Sequence, residues 1–405
     1  EAQIASAELG VRRFEELLDK YGKEDVIASC NQLMDYTEKL MRREIAKIPD
    51  GEYFAEGFLD DDGRNRDKTL PIKVCVRITG DDVEVDLTGS SDQVPTAFNV
   101  PYDGSTMVAA FFVFRAMLLD TYTLEEYVPQ NEGSFRPIKV TAPKGSIFNP
   151  IAPAAAEARF CQIQRMADLV IKALSPVIPE KSTAGNAATL SFAAYSGVRP
   201  SGDYWVFLEV NEAATGGRPN SDGVDTVEEL MRNTRNNPLE DLGMHLPLIC
   251  DRYEIRNDVP PGAGKYRGGA GVVKSQRYLT PGFMTHESDR HLDAPWGAFG
   301  GKSGSVGKME IYNIKDPSDI RQEYSKFSGL RTEEGDVVSY FSPSGGGFGN
   351  PLEREPAKVL DDVLDDTISL DMARDDYGVV MAAVDDGYGW QVDEKATEQL
   401  RASMS

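Results

Sequence analysis

The side chains best suited to chemistry lie in a run of six polar residues, His286-Glu287-Ser288-Asp289-Arg290-His291, which holds two of the chain's three histidines. Histidine and carboxylate side chains are common metal ligands, so this run is a candidate metal site. However, residues alternate between the two faces of a strand, which would point His286 and His291 apart. We therefore favour a structural role, in which Asp289 and Arg290 form an ion-pair network where the strand ends.

The remaining polar features give less support for catalysis. The third histidine, His245, lies between Met244 and Leu246, and this apolar setting predicts a core histidine. The G-x-S-x-G motif of serine hydrolases is absent from the sequence, and three histidines leave few choices of general base. A loop rich in glycine, asparagine and aspartate, 214–225, could face a ligand.

Three glycine-rich segments invite comparison with phosphate-binding loops. The segment 296–303 ends like a Walker A loop, but Trp296 stands where that motif needs a glycine. The segment 262–267 has Arg267 where a dinucleotide fingerprint needs its third glycine. The backbone amides of 344–349 could form an anion nest, although a tight turn is the favoured interpretation. We therefore predict no independent ATP site in this chain.

Hydrophobic periodicity predicts both helices and strands around these segments. The predicted helices span 1–21, about 24–47, a buried stretch from about 107 to 122, 160–175, and a helix-turn-helix tail over 353–380. In that tail, the acidic run Asp361, Asp362, Asp365 and Asp366 is interpreted as a solvated helix face. The predicted strands span 73–78, 83–87, 137–141, 190–195, 204–210, 252–255, 271–279, 283–285, 308–312 and 336–341.

This order of elements predicts an α+β fold with four stretches. The first, 1–99, combines a helical hairpin with a β-hairpin, and the second, 100–245, is a mixed helix and sheet region. The third, 246–350, is a glycine-rich β module, and the last, 351–405, is a helical tail.

Composition narrows the possible classes of function. The net charge of −23 argues against a nucleic-acid partner, because phosphate binding needs clustered lysine and arginine. No apolar run is long enough for a membrane helix, so no membrane partner is expected. The four cysteines contain no C-x-x-C pair, which favours reduced thiols in a cytoplasmic protein and excludes a zinc ribbon.

Short blocks in order from Gln3 to Val380 carry a more specific signal. They are Gln3-Ile4-Ala5, Arg12-Arg13, Asp86-Leu87-Thr88-Gly89-Ser90-Ser91, Asn99-Val100-Pro101, Asn131-Glu132-Gly133, Arg136-Pro137-Ile138, Pro143-Lys144-Gly145-Ser146, Asn149-Pro150, Gly216-Gly217-Arg218-Pro219, Asp222-Gly223, Asn233-Thr234, Asn237-Pro238, Tyr266-Arg267-Gly268-Gly269, Ser288-Asp289-Arg290, Ala294-Pro295-Trp296-Gly297 and Gly345-Gly346-Gly347-Phe348-Gly349-Asn350-Pro351. Together they resemble the hydantoinase B family. That family includes the large subunit of acetone carboxylase, the matching subunit of acetophenone carboxylase and the C-terminal half of ATP-dependent 5-oxoprolinase.

The resemblance implies a multi-subunit, ATP-dependent enzyme that acts on a small carbonyl substrate. A hydantoinase A-like partner would use ATP and Mg²⁺ to phosphorylate the substrate carbonyl, and the present subunit would handle the activated species. The leading expectation is a biotin-independent ketone carboxylase that acts on an enol phosphate. The alternatives are a cyclic amide hydrolase of the hydantoinase or 5-oxoprolinase type, and a non-catalytic scaffold subunit.

The resemblance also bears on metal binding and on site residues. The family's His- and Asp-rich metal motifs precede the block that resembles the start of this chain. The chain is therefore expected to correspond to the C-terminal portion of the subunit, with a divalent metal such as Zn or Mn bound by the preceding portion. Asp222, Asp289 and Arg290 lie in matching blocks, and their chemistry and loop positions make them the candidate catalytic residues. On its own, this chain is expected to be inactive.

Overall fold

Two long helices open the chain, as the periodicity predicts. The computed structural model describes residues 1–384 and 389–404. Helix α1 spans Ala2–Tyr21 and helix α2 spans Lys23–Ile45, separated by Gly22, whose positive φ of 82° favours glycine. No residue of α1 is buried, whereas the last turns of α2 bury apolar residues such as Met41 and Ile45. Only α2 therefore joins the core.

The first sheet follows these helices and has four strands in the order β1-β2-β3-β4. Its strands are β1 (Gly51–Leu59), β2 (Leu70–Thr79), β3 (Asp82–Asp86) and β4 (Ile138–Thr141). The predicted hairpin is confirmed as β2 and β3, and β1 adds an antiparallel neighbour to β2. Helices α3 (Met107–Leu118) and α5 (Phe160–Leu174) share one buried apolar cluster with this sheet, and the short helix α4 (Thr121–Leu124) follows α3.

Two further sheets face each other in the second half of the chain. One has the order β11-β10-β13-β8-β7 and the other β12-β9-β5-β6. Their strands are β5 (Ser191–Val198), β6 (Tyr204–Asn211), β7 (Leu248–Ile255), β8 (Val272–Tyr278), β9 (Gly282–Glu287), β10 (Lys308–Asn313), β11 (Asp316–Glu323), β12 (Lys326–Thr332) and β13 (Asp336–Phe341). Both sheets contribute to one apolar cluster, in which Tyr195 and Met284 meet Tyr278 and Tyr340. This packing is that of a β-sandwich.

The remaining elements are short. Helix α6 (Leu239–His245) precedes β7, and the tail contains α7 (Pro356–Leu364), α8 (Leu370–Asp375), the two-stranded ribbon β14 (Met381–Ala383) with β15 (Trp390–Val392), and α9 (Glu394–Met404). The predicted helix-turn-helix is therefore present as α7 and α8. The four-stretch division at 99, 245 and 350 stays a prediction. No helix among residues 1–384 and 389–404 is both long and apolar enough to cross a membrane.

The glycine run 344–349 is an extended segment at the centre of the second half of the chain. Its successive N–H groups donate to carbonyls of three different segments: Gly345 to Gly269, Gly346 to Gly185 and Gly347 to Lys302, each at 2.9 Å. A β-strand directs its bonds to two sides, whereas an extended helix with three residues per turn directs them to three. We call the segments 184–186, 214–217, 262–271, 296–304 and 344–349 the glycine bundle.

The bundle overturns two expectations about 344–349. The amides of the glycine run already donate to backbone carbonyls, so they are not free to form an anion nest. The segment is also extended rather than a tight turn. Glycine is needed because backbones touch: a Cβ on Gly345 would lie 2.0 Å from Thr215 O, and one on Gly268 would lie 1.9 Å from Gly345 O.

Substitution of one bundle glycine tests this packing. Gly345→Ala forces a Cβ against a backbone carbonyl, so we expect a loss of about 3 kcal/mol or more in the free energy of unfolding, or failure to fold. Gly243→Ala in α6 is the matched control, because a Cβ there meets nothing within 4 Å. Its effect should stay within about 1 kcal/mol. Urea unfolding of both variants makes the comparison, and equal stabilities would contradict the proposed close packing.

Candidate functional site

Asp289 and Arg290 lie where β9 ends, and both are buried to 1% exposure. The Asp289 carboxylate accepts a hydrogen bond from Lys326 Nζ at 2.8 Å and another from Asp60 N at 3.2 Å. The Asp60 carboxylate in turn accepts the backbone N–H of His291 at 2.9 Å. Because Asp60 directly follows β1, these contacts join the end of the first sheet to the end of β9.

Arg290 has a different partner. Its guanidinium donates to Asp168 Oδ2 of α5 at 2.8 Å, and also contacts Asp293 at 3.2 Å. Asp168 also accepts the indole N–H of Trp296 at 2.9 Å. A network at the strand exit is therefore present, but the expected pairing is wrong: the side chains of Asp289 and Arg290 pair with Lys326 and Asp168, not with each other.

Asp222 belongs to a separate network. Its carboxylate pairs with Arg354 at 2.6 and 3.0 Å, and it accepts the backbone N–H of Arg267 at 2.9 Å. Arg267 and Arg354 both also bind Asp362 of α7. These contacts attach the loop 214–225 to the helical tail. The structure therefore does not bring Asp222 together with Asp289 and Arg290, and Asp362 is buried, contrary to the solvated face expected for it.

The three histidines occupy three different settings. His286 Nε2 lies 3.0 Å from Ser191 Oγ, and its ring packs between Phe327 and Tyr340. Burial disfavours the imidazolium and lowers the pKa of both His286 and His291 to about 3, so both rings are neutral at pH 7. His245 is exposed at the end of α6, beside Asp241, so the expectation of a core histidine is wrong.

The polar run does not assemble a metal site. Among the parts of the chain that the structure describes, no group of three His, Cys, Asp or Glu side chains is placed to hold a metal ion. His286 faces the sandwich core, because Phe327 and Ala193 stand opposite it in the neighbouring strands. The next residue, Glu287, faces the other side of the sheet.

Glu287 lines a cavity of about 310 Å³ on that other side. The cavity is mostly walled by apolar groups; its lining includes Ala97, Phe98, Ala158 and Phe192. Burial and then the nearby Glu157 carboxylate raise the pKa of Glu287 to about 7. A carboxyl group whose pKa lies near neutrality in such a cavity is typical of functional sites. The sequence identifies Glu287 only as a possible metal ligand, because the cavity beside it is formed by residues that are distant in the chain.

A second cavity, of about 420 Å³, flanks the Arg290–Asp168 pair. Its charged lining residues include Arg165, Lys172 and Asp293, and Trp296 forms part of the same wall. Arg165 donates to Asp293 and to Phe58 O, while its buried Nε finds no partner among the described residues. The two cavities lie against the same buried charged network, whose members include Arg165, Asp168, Asp289, Arg290 and Lys326.

Two solved structures have this architecture. A caprolactamase structure from Pseudomonas jessenii, described as ATP-dependent, superposes with a TM-score of 0.83 at 27% identity, covering 99% of this chain and 68% of that chain. An acetone carboxylase structure superposes with a TM-score of 0.82 at 20% identity, covering 97% of this chain and 57% of that chain. The second likeness shows the fold alone. The protein thus falls in the class of large mixed α/β chains that these two structures define.

The particular family follows from the sequence. This chain belongs to the hydantoinase B/oxoprolinase family, whose model matches residues 1–351. The putative B component of a D-/L-hydantoinase from Pseudomonas sp. (strain NS671) is 43% identical over 99% of this chain and 67% of its own length. The beta chain of caprolactamase from Pseudomonas jessenii is 30% identical over 99% of this chain and 68% of its own length. The chain therefore spans about two thirds of these relatives, and the family expected from the sequence is confirmed.

Removal of the buried ammonium tests the charged network. Lys326→Met leaves Asp289 buried without its cation, so we expect a loss of about 3–5 kcal/mol in the free energy of unfolding. The double variant Asp289→Asn/Lys326→Met should recover part of this loss, because residue 289 then carries no unpaired charge. Lys315→Met, at an exposed position, is the control and should change little. A Lys326→Met protein as stable as the control would refute the pairing.

The pKa of Glu287 predicts how stability depends on pH. The native pKa of about 7 exceeds the unfolded value of about 4.3, so the native state binds the extra proton between these pH values. Stability from this group is therefore full below about pH 4 and falls as pH rises towards 7, by at most about 1.4 kcal/mol per unit. The charged or titratable groups around Glu287 are Glu157, Lys326, Asp289, Asp62 and Cys161.

Urea unfolding of the native chain and of Glu287→Gln at several pH values measures this effect. From pH 5 to 7, the free energy of unfolding of the native chain should fall steadily relative to that of Glu287→Gln. Glu240→Gln, at an exposed position in α6, is the control for the substitution itself. A flat difference for Glu287→Gln would show that Glu287 titrates normally.

Proposed function

We propose that this chain forms part of the B-type subunit of an ATP-dependent hydrolase that opens a cyclic amide. In this scheme a hydantoinase A-like subunit phosphorylates the amide carbonyl with ATP and Mg²⁺. The B-type subunit then receives the activated ring. Phosphorylation makes the ring carbonyl carbon more electrophilic, so that water adds to it and the C–N bond breaks as the nitrogen takes a proton. A second water then releases phosphate from the resulting acyl phosphate.

One observation carries this proposal: 43% identity over 99% of the chain to a protein named as the putative B component of a hydantoinase. The beta chain of caprolactamase, at 30% identity, is also named for a cyclic amide. For the ketone carboxylase that leads the sequence-based expectations, the acetone carboxylase structure at 20% identity shows the fold alone. The named relatives therefore favour the cyclic amide hydrolase. The test below distinguishes it from the ketone carboxylase and from the non-catalytic scaffold.

The described residues of this chain are poorly suited to bind the cofactors of such a complex, so we assign the cofactors to other polypeptide. The glycine run 344–349 offers no free amides to a nucleotide phosphate, because its described N–H groups already donate to carbonyls of the bundle. The histidines of the polar run face different surroundings, which does not suit a shared metal. We therefore propose that the partner binds ATP, that the remainder of the B-type subunit binds a divalent metal, and that the reaction uses no biotin. The free thiols of all four cysteines favour a cytoplasmic complex.

The candidate residues take different parts in this proposal. Asp289 and Arg290 are both buried, and Arg290 lines the 420 Å³ cavity, so we propose them as positioning residues that hold the end of β9. The sequence makes Asp222 a candidate catalytic residue, and that role stays a prediction. Its bidentate contact with Arg354 supports an anchoring role for the tail.

The complete subunit, purified together with its ATP-binding partner, provides the test. Hydantoin, 5-oxoproline and ε-caprolactam should each be compared for ring opening and for coupled release of phosphate from ATP. Acetone with labelled bicarbonate is the matched carboxylase assay. The proposal expects ATP-dependent ring opening of at least one cyclic amide and no label in an acid product. Labelled acid without ring opening would establish the carboxylase instead, and equal turnover by the partner alone would establish the scaffold.

A further inference from the structure

Three neighbouring strands form the floor of the 310 Å³ cavity. Phe192 of β5 stands directly opposite Glu287 of β9, and Glu287 stands directly opposite Lys326 of β12. Paired residues in adjacent antiparallel strands project from the same face of the sheet. Phe192, Glu287 and Lys326 therefore form one row, with the carboxyl group between an aromatic ring and an ammonium group.

Loops from the first half of the chain form the walls. They contribute Phe98 together with the segments 62–63, 96–97 and 157–158. The Lys326 ammonium group already pairs with Asp289 at 2.8 Å, and it lies 5.6 Å from the Phe98 ring centre. The cavity thus combines aromatic walls with the Lys326 ammonium group, whose charge is already paired with that of Asp289.

One polar atom in this cavity is unexplained. Glu287 is 7% exposed, and its buried Oε1 has no hydrogen-bond partner among the described residues. A buried polar atom without a partner costs free energy, so it calls for a specific explanation such as a bound ligand. The Glu287 carboxyl group, which lines the cavity, is therefore the point at which a ligand would be recognised.

The charges around Glu287 indicate which ligands would be excluded. Among the described residues that line the cavity, an anion would meet the Glu157 carboxylate and no unpaired cation, and a cation would meet the Lys326 ammonium. A protonated Glu287 carboxyl group can donate one hydrogen bond and accept another. An uncharged ligand with one donor and one acceptor on the same edge matches this pattern.

We propose that this cavity, the Glu287 pocket, binds the ring of an uncharged cyclic amide through paired hydrogen bonds between the amide edge and the Glu287 carboxyl group. A small ring holds its amide in the cis form, so that N–H and C=O lie on the same edge, whereas an open-chain secondary amide is trans and separates them. The ring methylenes then pack against the aromatic walls. This inference rests on the proposed function and adds the place and the mode of recognition.

Ligand binding by the chain without ATP or partner tests the pocket. Saturation-transfer NMR should compare 2-pyrrolidinone with N-methyl-2-pyrrolidinone, cyclopentanone and open-chain N-methylacetamide. We expect 2-pyrrolidinone to bind at least tenfold more tightly than each of the other three. Its affinity should fall about tenfold per pH unit above pH 7, where Glu287 loses its proton.

Two variants locate the effect. Glu287→Leu should weaken 2-pyrrolidinone binding at least tenfold, whereas Glu287→Gln, whose amide still offers a donor and an acceptor, should bind with little dependence on pH. Glu240→Leu on the exposed side of α6 is the control and should bind as the native chain does. The thermal unfolding midpoint of each variant, measured beside the control, shows whether it is folded.

Each outcome separates the pocket from the proposed function. Lactam binding that Glu287→Leu leaves unchanged, or equal affinity for N-methyl-2-pyrrolidinone, would overturn the pocket while leaving cyclic amide hydrolysis intact. Preference for cyclopentanone that depends on Glu287 would overturn the amide as ligand and point to a ketone substrate. Absence of binding by any probe to the folded native chain would overturn the pocket.

Discussion

Direct packing of backbone against backbone in the glycine bundle is the constraint on which the second half of the structure depends. Segments as far apart in sequence as 184–186 and 344–349 exchange hydrogen bonds there, at distances that leave no room for a Cβ atom. Both ion-pair networks attach to it. Trp296 receives the N–H of Gly185 at its carbonyl and donates its indole N–H to Asp168, the partner of Arg290. On the other side, the loop 214–225 that carries Asp222 includes Thr215, whose carbonyl accepts the N–H of Gly269.

The buried charges add specificity to this frame. A buried ion pair gives little net stability against an apolar replacement, but the loss of one partner is costly. Asp289 with Lys326 and Arg290 with Asp168 can therefore be satisfied in one arrangement of β1, β9, β12 and α5. That arrangement also sets the floor of the Glu287 pocket, because Lys326 is a member of both. The pocket is consequently shaped by contacts already made before any ligand arrives.

The sequence predicts the elements well and their contacts poorly. Periodicity identifies the first two helices and most sandwich strands, because one face of each is apolar. It misses β11, which is polar and exposed along nearly its whole length, and β12, which is mixed. The ion-pair partners of Asp289 and Arg290 lie 37 and 122 residues away, beyond any local pattern. The family resemblance supplies what periodicity lacks, since it depends on short blocks over the whole chain.

Amide hydrogen exchange of the segment 344–349 tests the central claim most directly. If the glycine run lies in a close-packed bundle, its amides should exchange only through global unfolding, at the rate of the core strands β8 and β13. Peptides from the exposed helix α1 provide the fast reference in the same experiment. Exchange of 344–349 as fast as that of α1 would contradict the account, because the amides would then be open to water.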